Sequence, residues 1–287
     1  MTMAPAASVP QPAWLPAWAR GAKLDPRYVI AFLITLVLVA GQVRYHLIGG
    51  YDRLATALLT CLVTEALLSL FIRGRIVNLQ SAYISGISLT LLIKPQGGAL
   101  WPFALGGFLA IASKYVLQYR NNHLWNPSNF AIVALLLAAP GRVSVLSHQF
   151  GNDLVTNLVI WAFGLVIAAR VRVLHITLAY AASFLLLSGL RSSLLGQPLL
   201  PEIAPLTGPM YQLFVFFMIT DPRTVVSPRG WQIVVVVIVA AAEALIRVAA
   251  DQAWEMPIAF SAAPPLVALA LVGPVAKWID LKTPSCP

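Results

Sequence analysis

The sequence predicts an all-α polytopic membrane protein. About ten transmembrane helices are expected, laid out as two inverted five-helix repeats with some helices broken into halves. Three observations predict it. The chain is 59% hydrophobic and 10% charged, with a mean hydropathy of +0.82, whereas a soluble domain carries about 25% charged residues. A core of 287 residues cannot bury that much apolar surface, so the solvent must be lipid. The apolar runs are long and continuous rather than alternating, which excludes a closed β-barrel. Finally, the second half repeats the order, spacing and breaks of the first.

Residues 1–27 are rich in Pro and Ala, carry Trp14 and Trp18 and end in basic residues. They lack the basic-then-apolar order of a cleavable leader and read as a cytoplasmic tail. A span takes about 20 apolar residues, fewer for a half-helix. Candidates lie near 28–48, 53–72, 81–95, 101–119, 126–140, 153–170, 173–191, 207–220, 231–249 and 257–278. The first repeat covers 28–140 and the second 153–280, with a connecting loop at 141–152 and a tail at 281–287. The segments 81–95, 126–140 and 207–220 are short, as discontinuous helices are. With the N-terminus inside, the loops place twelve Lys and Arg on the cytoplasmic side and six on the other. That bias supports cytoplasmic termini and an even number of spans.

The repeat is read from its landmarks. Ser85-Gly86, Lys94-Pro95, a full span and WNPSNF are answered by Thr207-Gly208, Asp221-Pro222, a full span and WEMPIAF. Trp125 falls against Trp254, Pro127 against Pro257 and Phe130 against Phe260. Pro95 to Pro127 is 32 residues and Pro222 to Pro257 is 35. Five spans per repeat is an odd number, so the copies oppose each other in the membrane. Such repeats place a site near the midplane, between paired broken helices.

Polar residues gather at the breaks: Ser85, Ser88, Thr90, Lys94, Asn126, Ser128 and Asn129 in the first copy, Thr220, Asp221, Arg223 and Thr224 in the second. Asn126 before Pro127 is a helix start. It is also a dipole end inside the membrane, with Asn129 offering an amide to a ring edge. Asp221-Pro222 reads as a turn, or as the acidic and basic mouth of a broken helix suited to a phosphate. Charges inside spans are costly and mark function. Glu65, Lys114 and Glu243 are the three. They form a cation path or polar contacts to a cofactor, or Lys114 and a glutamate neutralise each other between symmetry-related helices. His123, beside Asn121 and Asn122, reads as a solvated loop residue, and no pair among His46, His123, His148 and His175 has metal-ligand spacing. Cys61 and Cys286 form neither a disulfide framework nor a metal motif. The net charge of +9 is spread over loops, which excludes a nucleic-acid face.

At NLQSAYISGISLTLLIKP, LGGFLAIASKYVLQYRNNHLWNPSNFAIVALLL and FFMITDPRTVVSPRG the chain resembles the NqrB/RnfD family, over about residues 28–280. These are membrane subunits of the sodium-pumping NADH:quinone reductase and of the Rnf electron-transport complex, and the chain is most similar to short RnfD-type members. The resemblance implies a ten-helix inverted repeat like that of urea and ammonium channels. It also implies a flavin or quinone in the membrane domain, electron transfer coupled to cation movement, partner redox subunits, and the bacterial inner (cytoplasmic) membrane. Family members attach FMN to the Thr of an S-G-A-T motif. Here Ser85-Gly86-Ile87-Ser88 and Thr207-Gly208-Pro209-Met210 lack that Thr, so the expectation is non-covalent FMN or riboflavin. The chain has no iron–sulfur cysteine set, so electrons must come from a partner. The rival expectation is a solute channel or transporter of the same fold that has lost the flavin, and a third is a membrane anchor for a redox partner.

Overall fold

The computed structural model describes residues 26–146 and 154–283 and is mostly helical. Trp14, Trp18, the end of the connecting loop and the last four residues lie outside the described residues. The first half runs α1 (Pro26–Tyr45), α2 (Tyr51–Arg73), α3 (Gln80–Leu92), β1 (Ile93–Pro95), α4 (Trp101–Val116), a hairpin of β2 (Gln118–Tyr119) and β3 (Asn122–His123), α5 (Pro127–Ala138) and β4 (Val143–Val145). The second runs α6 (Leu154–Arg170), α7 (Leu174–Leu195), α8 (Leu199–Ile203), α9 (Pro209–Leu213), a π turn (Phe214–Met218), α10 (Arg229–Asp251), α11 (Ile258–Ala262) and α12 (Pro264–Lys282).

Among the described residues α2, α7, α10 and α12 are long and apolar enough to cross a membrane. α1, α5, α6 and the segment from α9 through its π turn hold shorter apolar stretches. The outer faces carry large exposed side chains such as Val43, Phe71, Leu186 and Leu245. In water each would be unfavourable; in lipid tails they are solvated. The core is built of fully buried Ile87, Leu91, Phe103, Ile111, Leu135, Phe214 and Leu266, which brings α3, α4, α5, the π turn and α12 together.

Small residues set the closest packing. A Cβ on Gly86 would lie 2.8 Å from Leu58 Cδ2, and one on Gly107 would lie 3.1 Å from the Thr60 Cβ. α3 and α4 therefore approach α2 on adjacent sides of the Leu58–Cys61 turn. Dispersion and close backbone contact, rather than water exclusion, drive helix association in lipid.

The short candidate spans are short helices with identifiable ends. α3 passes into β1, which pairs antiparallel with β4, Ile93 opposite Val145 and Pro95 opposite Val143. α5 ends at Ala139 (φ −134°, ψ 59°), whose N–H bonds the Leu135 carbonyl at 2.9 Å. Pro140 follows, and the residue before a proline is pushed out of the helical region. The expected single span at 257–278 is instead broken. Ala263 has φ −145° and ψ 62° and separates α11 from α12, with Pro264 and Pro265 next. α8 and the π turn are further departures from the spans read in the sequence.

Pro274 lies inside α12 and has no N–H to bond the carbonyl of Ala270. The Trp125 indole Nε1 donates to that carbonyl at 3.0 Å. The Trp125→Phe variant should therefore lose about 1–3 kcal/mol of stability, the cost of one orphaned buried acceptor. Adding Pro274→Ala, which supplies the missing N–H, should restore part of it. Thermal unfolding of both variants in one detergent checks this.

Candidate functional site

The centre of the site is a contact between two chain breaks 95 residues apart. Asn126 caps α5: its Oδ1 accepts from the Asn129 amide at 3.1 Å. Its Nδ2 donates to Asp221 Oδ2 at 3.0 Å. Asp221 Oδ1 accepts from the Arg223 amide at 3.1 Å, which closes an Asx turn. Arg223 Nη1 then reaches His123 Nε2 at 3.3 Å. The loop after the π turn, the β2–β3 hairpin and the start of α5 are thereby tied together by polar side chains.

These residues line one side of a cleft of about 150 Å³. The opposite side is α3, with Gln80, Ser81, Ser85 and Ser88. The π turn places Phe216, Phe217 and Met218 on the wall; π turns recur at functional sites because they redirect side chains. Of the nine candidate binding residues, six line this cleft: Ser85, Ser88, Asn126, Thr220, Asp221 and Arg223. Asn129 and Thr224 face a separate void of about 30 Å³ with Gln232. There the Asn129 amide donates to the Leu266 carbonyl at 3.1 Å. Lys94 is not brought to the cleft. It lies in β1, where its Nζ donates to the Leu47 carbonyl.

The intramembrane charges separate into two clusters. Lys114 Nζ bonds Glu65 Oε2 at 2.7 Å, and the Tyr115 hydroxyl bonds Glu65 Oε1 at 2.8 Å. The pair joins neighbouring helices α2 and α4, not Lys114 and Glu243 as the repeat suggests. Glu243 is held by the Tyr180 and Tyr211 hydroxyls and by Arg247 Nε at 3.0 Å. Arg191 joins Glu202 and Asp251 close by. This cluster sits toward the C-terminal end of α10, away from Gln232.

His123 corrects the sequence reading of a solvated loop histidine, since the hairpin buries it against Arg223. Burial first, then the Arg223 charge and then Lys114, push its pKa from 6.5 down to about 4. Ser128, one of the polar residues read at the first break, lines the cleft as well. Gln80 also lines it and was not singled out in the sequence; only its place in the first turn of α3 could have drawn notice. Among the described residues no three His, Cys, Asp or Glu side chains converge as metal ligands.

The donors suit the polar edge of a flavin, but the volume does not. Sites for ligands of that size start at about 300 Å³, and this half-open cleft is about 150 Å³. A whole flavin mononucleotide does not fit within it. Ser85-Gly86-Ile87-Ser88 on α3 offers no threonine for a phosphoester. No family model matches the chain, and no curated protein matches it.

Two outcomes are expected. Lys114→Met should cost about 3–5 kcal/mol by stranding the Glu65 charge, and Glu65→Leu in the same chain should recover most of that; unfolding midpoints of the single and double variants check it. The folded state favours neutral His123, so its contribution to stability is complete above pH 6.5 and is lost as the pH falls toward about 4. The fall in unfolding midpoint across that window should be smaller in His123→Gln.

Proposed function

We propose that this chain is the integral membrane subunit of an electron-transport assembly of the Rnf/Nqr kind, in the bacterial inner membrane with cytoplasmic termini. The cleft receives one polar end of a flavin or quinone whose bulk lies outside it. The observation that carries the reading is the direct contact of the two broken segments, Asn126 to Asp221 at 3.0 Å, at the edge of a polar cleft. Breaks inside apolar helices are where membrane proteins build sites. The electron donor is a partner subunit, because this chain has no cluster-binding cysteine set. Its own residues position the cofactor and set the field around it.

We further propose that the fold is a ten-span inverted repeat, with α1 to α5 answered by α6, α7, α9 with its π turn, α10, and α11 with α12. Three features support it. Pro127 and Pro257, aligned as landmarks, each stand at the start of a helix. The packing of α2 on α4 and α4 on α5 is matched by α7 on α10 and α10 on α12. Counterparts also meet directly: α1 with α6, α3 with α9 and α5 with α12.

A second reading is a pathway for a small polar solute. The observation in its favour is the 150 Å³ volume, which suits a small molecule. One experiment separates the two. The purified protein is incubated with FMN, riboflavin or a short-chain quinone, washed, denatured and the released chromophore measured. The redox reading expects retained, denaturation-released cofactor. Retention of none of the three, together with solute flux in liposomes, overturns it.

A further inference from the structure

The cleft holds more hydrogen-bond donors than acceptors to receive them. Ser85, Ser88 and Ser128 line it at 4%, 3% and 6% exposure, and none of their hydroxyls bonds another described residue. His123 is 6% exposed beside them. Its Nε2 faces Arg223, which can only donate, so Nε2 accepts and the ring proton sits on Nδ1, on the side of the Lys114 backbone. The Gln80 amide nitrogen is buried without a partner. Each of these is a donor or can act as one.

The field has the same sense. The first turns of α3 (Gln80, Ser81) and α5 (Pro127, Ser128) both face this cleft. Both helices exceed ten residues, and each presents the positive end of its dipole, although the Asn78 and Asn126 side chains already take the Gln80 and Asn129 N–H groups. Arg223 adds a full charge. Asp221 is the one carboxylate on the lining. Its oxygens already accept from the Asn126 amide and the Arg223 backbone, so it is committed to holding the loop.

We propose that this cleft is an oxyanion site of the phosphate class, bound by Arg223, the three serine hydroxyls and the two helix starts, with His123 orienting the Arg223 guanidinium. The inference deepens the function proposed above and rests on that reading only for the cofactor that carries the phosphate. It also accounts for the size of the cleft, which suits a phosphate group and leaves a ring outside.

The test uses the purified full chain in detergent. Its unfolding midpoint is followed against inorganic phosphate, FMN, riboflavin and phosphatidic acid, with chloride at matched ionic strength as reference. Phosphate should raise the midpoint in step with the logarithm of its concentration, and FMN should act at lower concentration than riboflavin. Arg223→Gln should raise the half-saturating phosphate concentration by roughly tenfold or more, and Ser85→Ala should raise it less. Ser85→Ala removes no bond within the protein, so it carries the comparison alone if Arg223→Gln does not unfold cooperatively. Displacement of phosphate by phosphatidic acid assigns the group to a lipid headgroup, and displacement by FMN assigns it to a soluble cofactor; both support the site. A phosphate effect no larger than that of chloride overturns it. Riboflavin acting as well as FMN while phosphate is inert overturns the anion site and leaves the redox reading standing. Phosphate binding without any flavin or quinone binding does the reverse.

Discussion

A chain that breaks its helices inside an apolar bundle must find partners for the backbone groups it frees. In lipid no water is present to take them. Most of the polar contacts in this protein answer that one demand. β1 and β4 pair where α3 and α5 stop. The Asn126 side chain takes an orphan N–H of the first turn of α5. Trp125 takes the carbonyl that Pro274 abandons, and the Asn129 amide ties α5 to the first turn of α12. The NPSN segment is therefore structural before it is anything else. Its second task follows from the first, because a capped helix start facing a broken neighbour leaves a polar hollow beside it.

The buried charges follow a related rule. A carboxylate taken from water keeps its charge only with close donors around it. Glu65 has Lys114 and Tyr115; Glu243 has Arg247, Tyr180 and Tyr211. Both sets are complete within their own half of the chain. Each half therefore holds its carboxylate without help from the other. The polar contacts that cross between the halves involve other residues: Trp125 and Asn129 reach α12, and Asn126, Asp221, His123 and Arg223 meet at the cleft.

The broken segments were legible because Gly and Pro interrupt runs too short to span. Composition alone was enough for the lipid-facing exterior. What was not legible depends on which helices touch. Lys114 pairs with Glu65 because α2 packs on α4, and nothing in the local sequence around either residue encodes that neighbour. His123 reads as a loop residue until Arg223, 100 residues away, is folded against it. Lys94, beside Pro95, looks like part of a polar break; it serves instead to hold the Leu47 carbonyl at the end of the first helical hairpin. The break at Ala263 was hidden because Pro264 and Pro265 sit where prolines commonly open a helix.

The cleft differs from these structural contacts in one respect: its donors are left over. Alanine in place of Ser85, Ser88 or Ser128 would break no bond to another described residue. The break near Pro257 carries no such set of hydroxyls. There Met256, Pro257 and Ile258 stand where the first half has Asn126 and Ser128 nearby. The serine hydroxyls without a partner gather at the break that also has Arg223 and two helix starts beside it. A purely architectural need is met by the caps and pairings described above, which leave these hydroxyls out. An acceptor that arrives from outside the chain would use them.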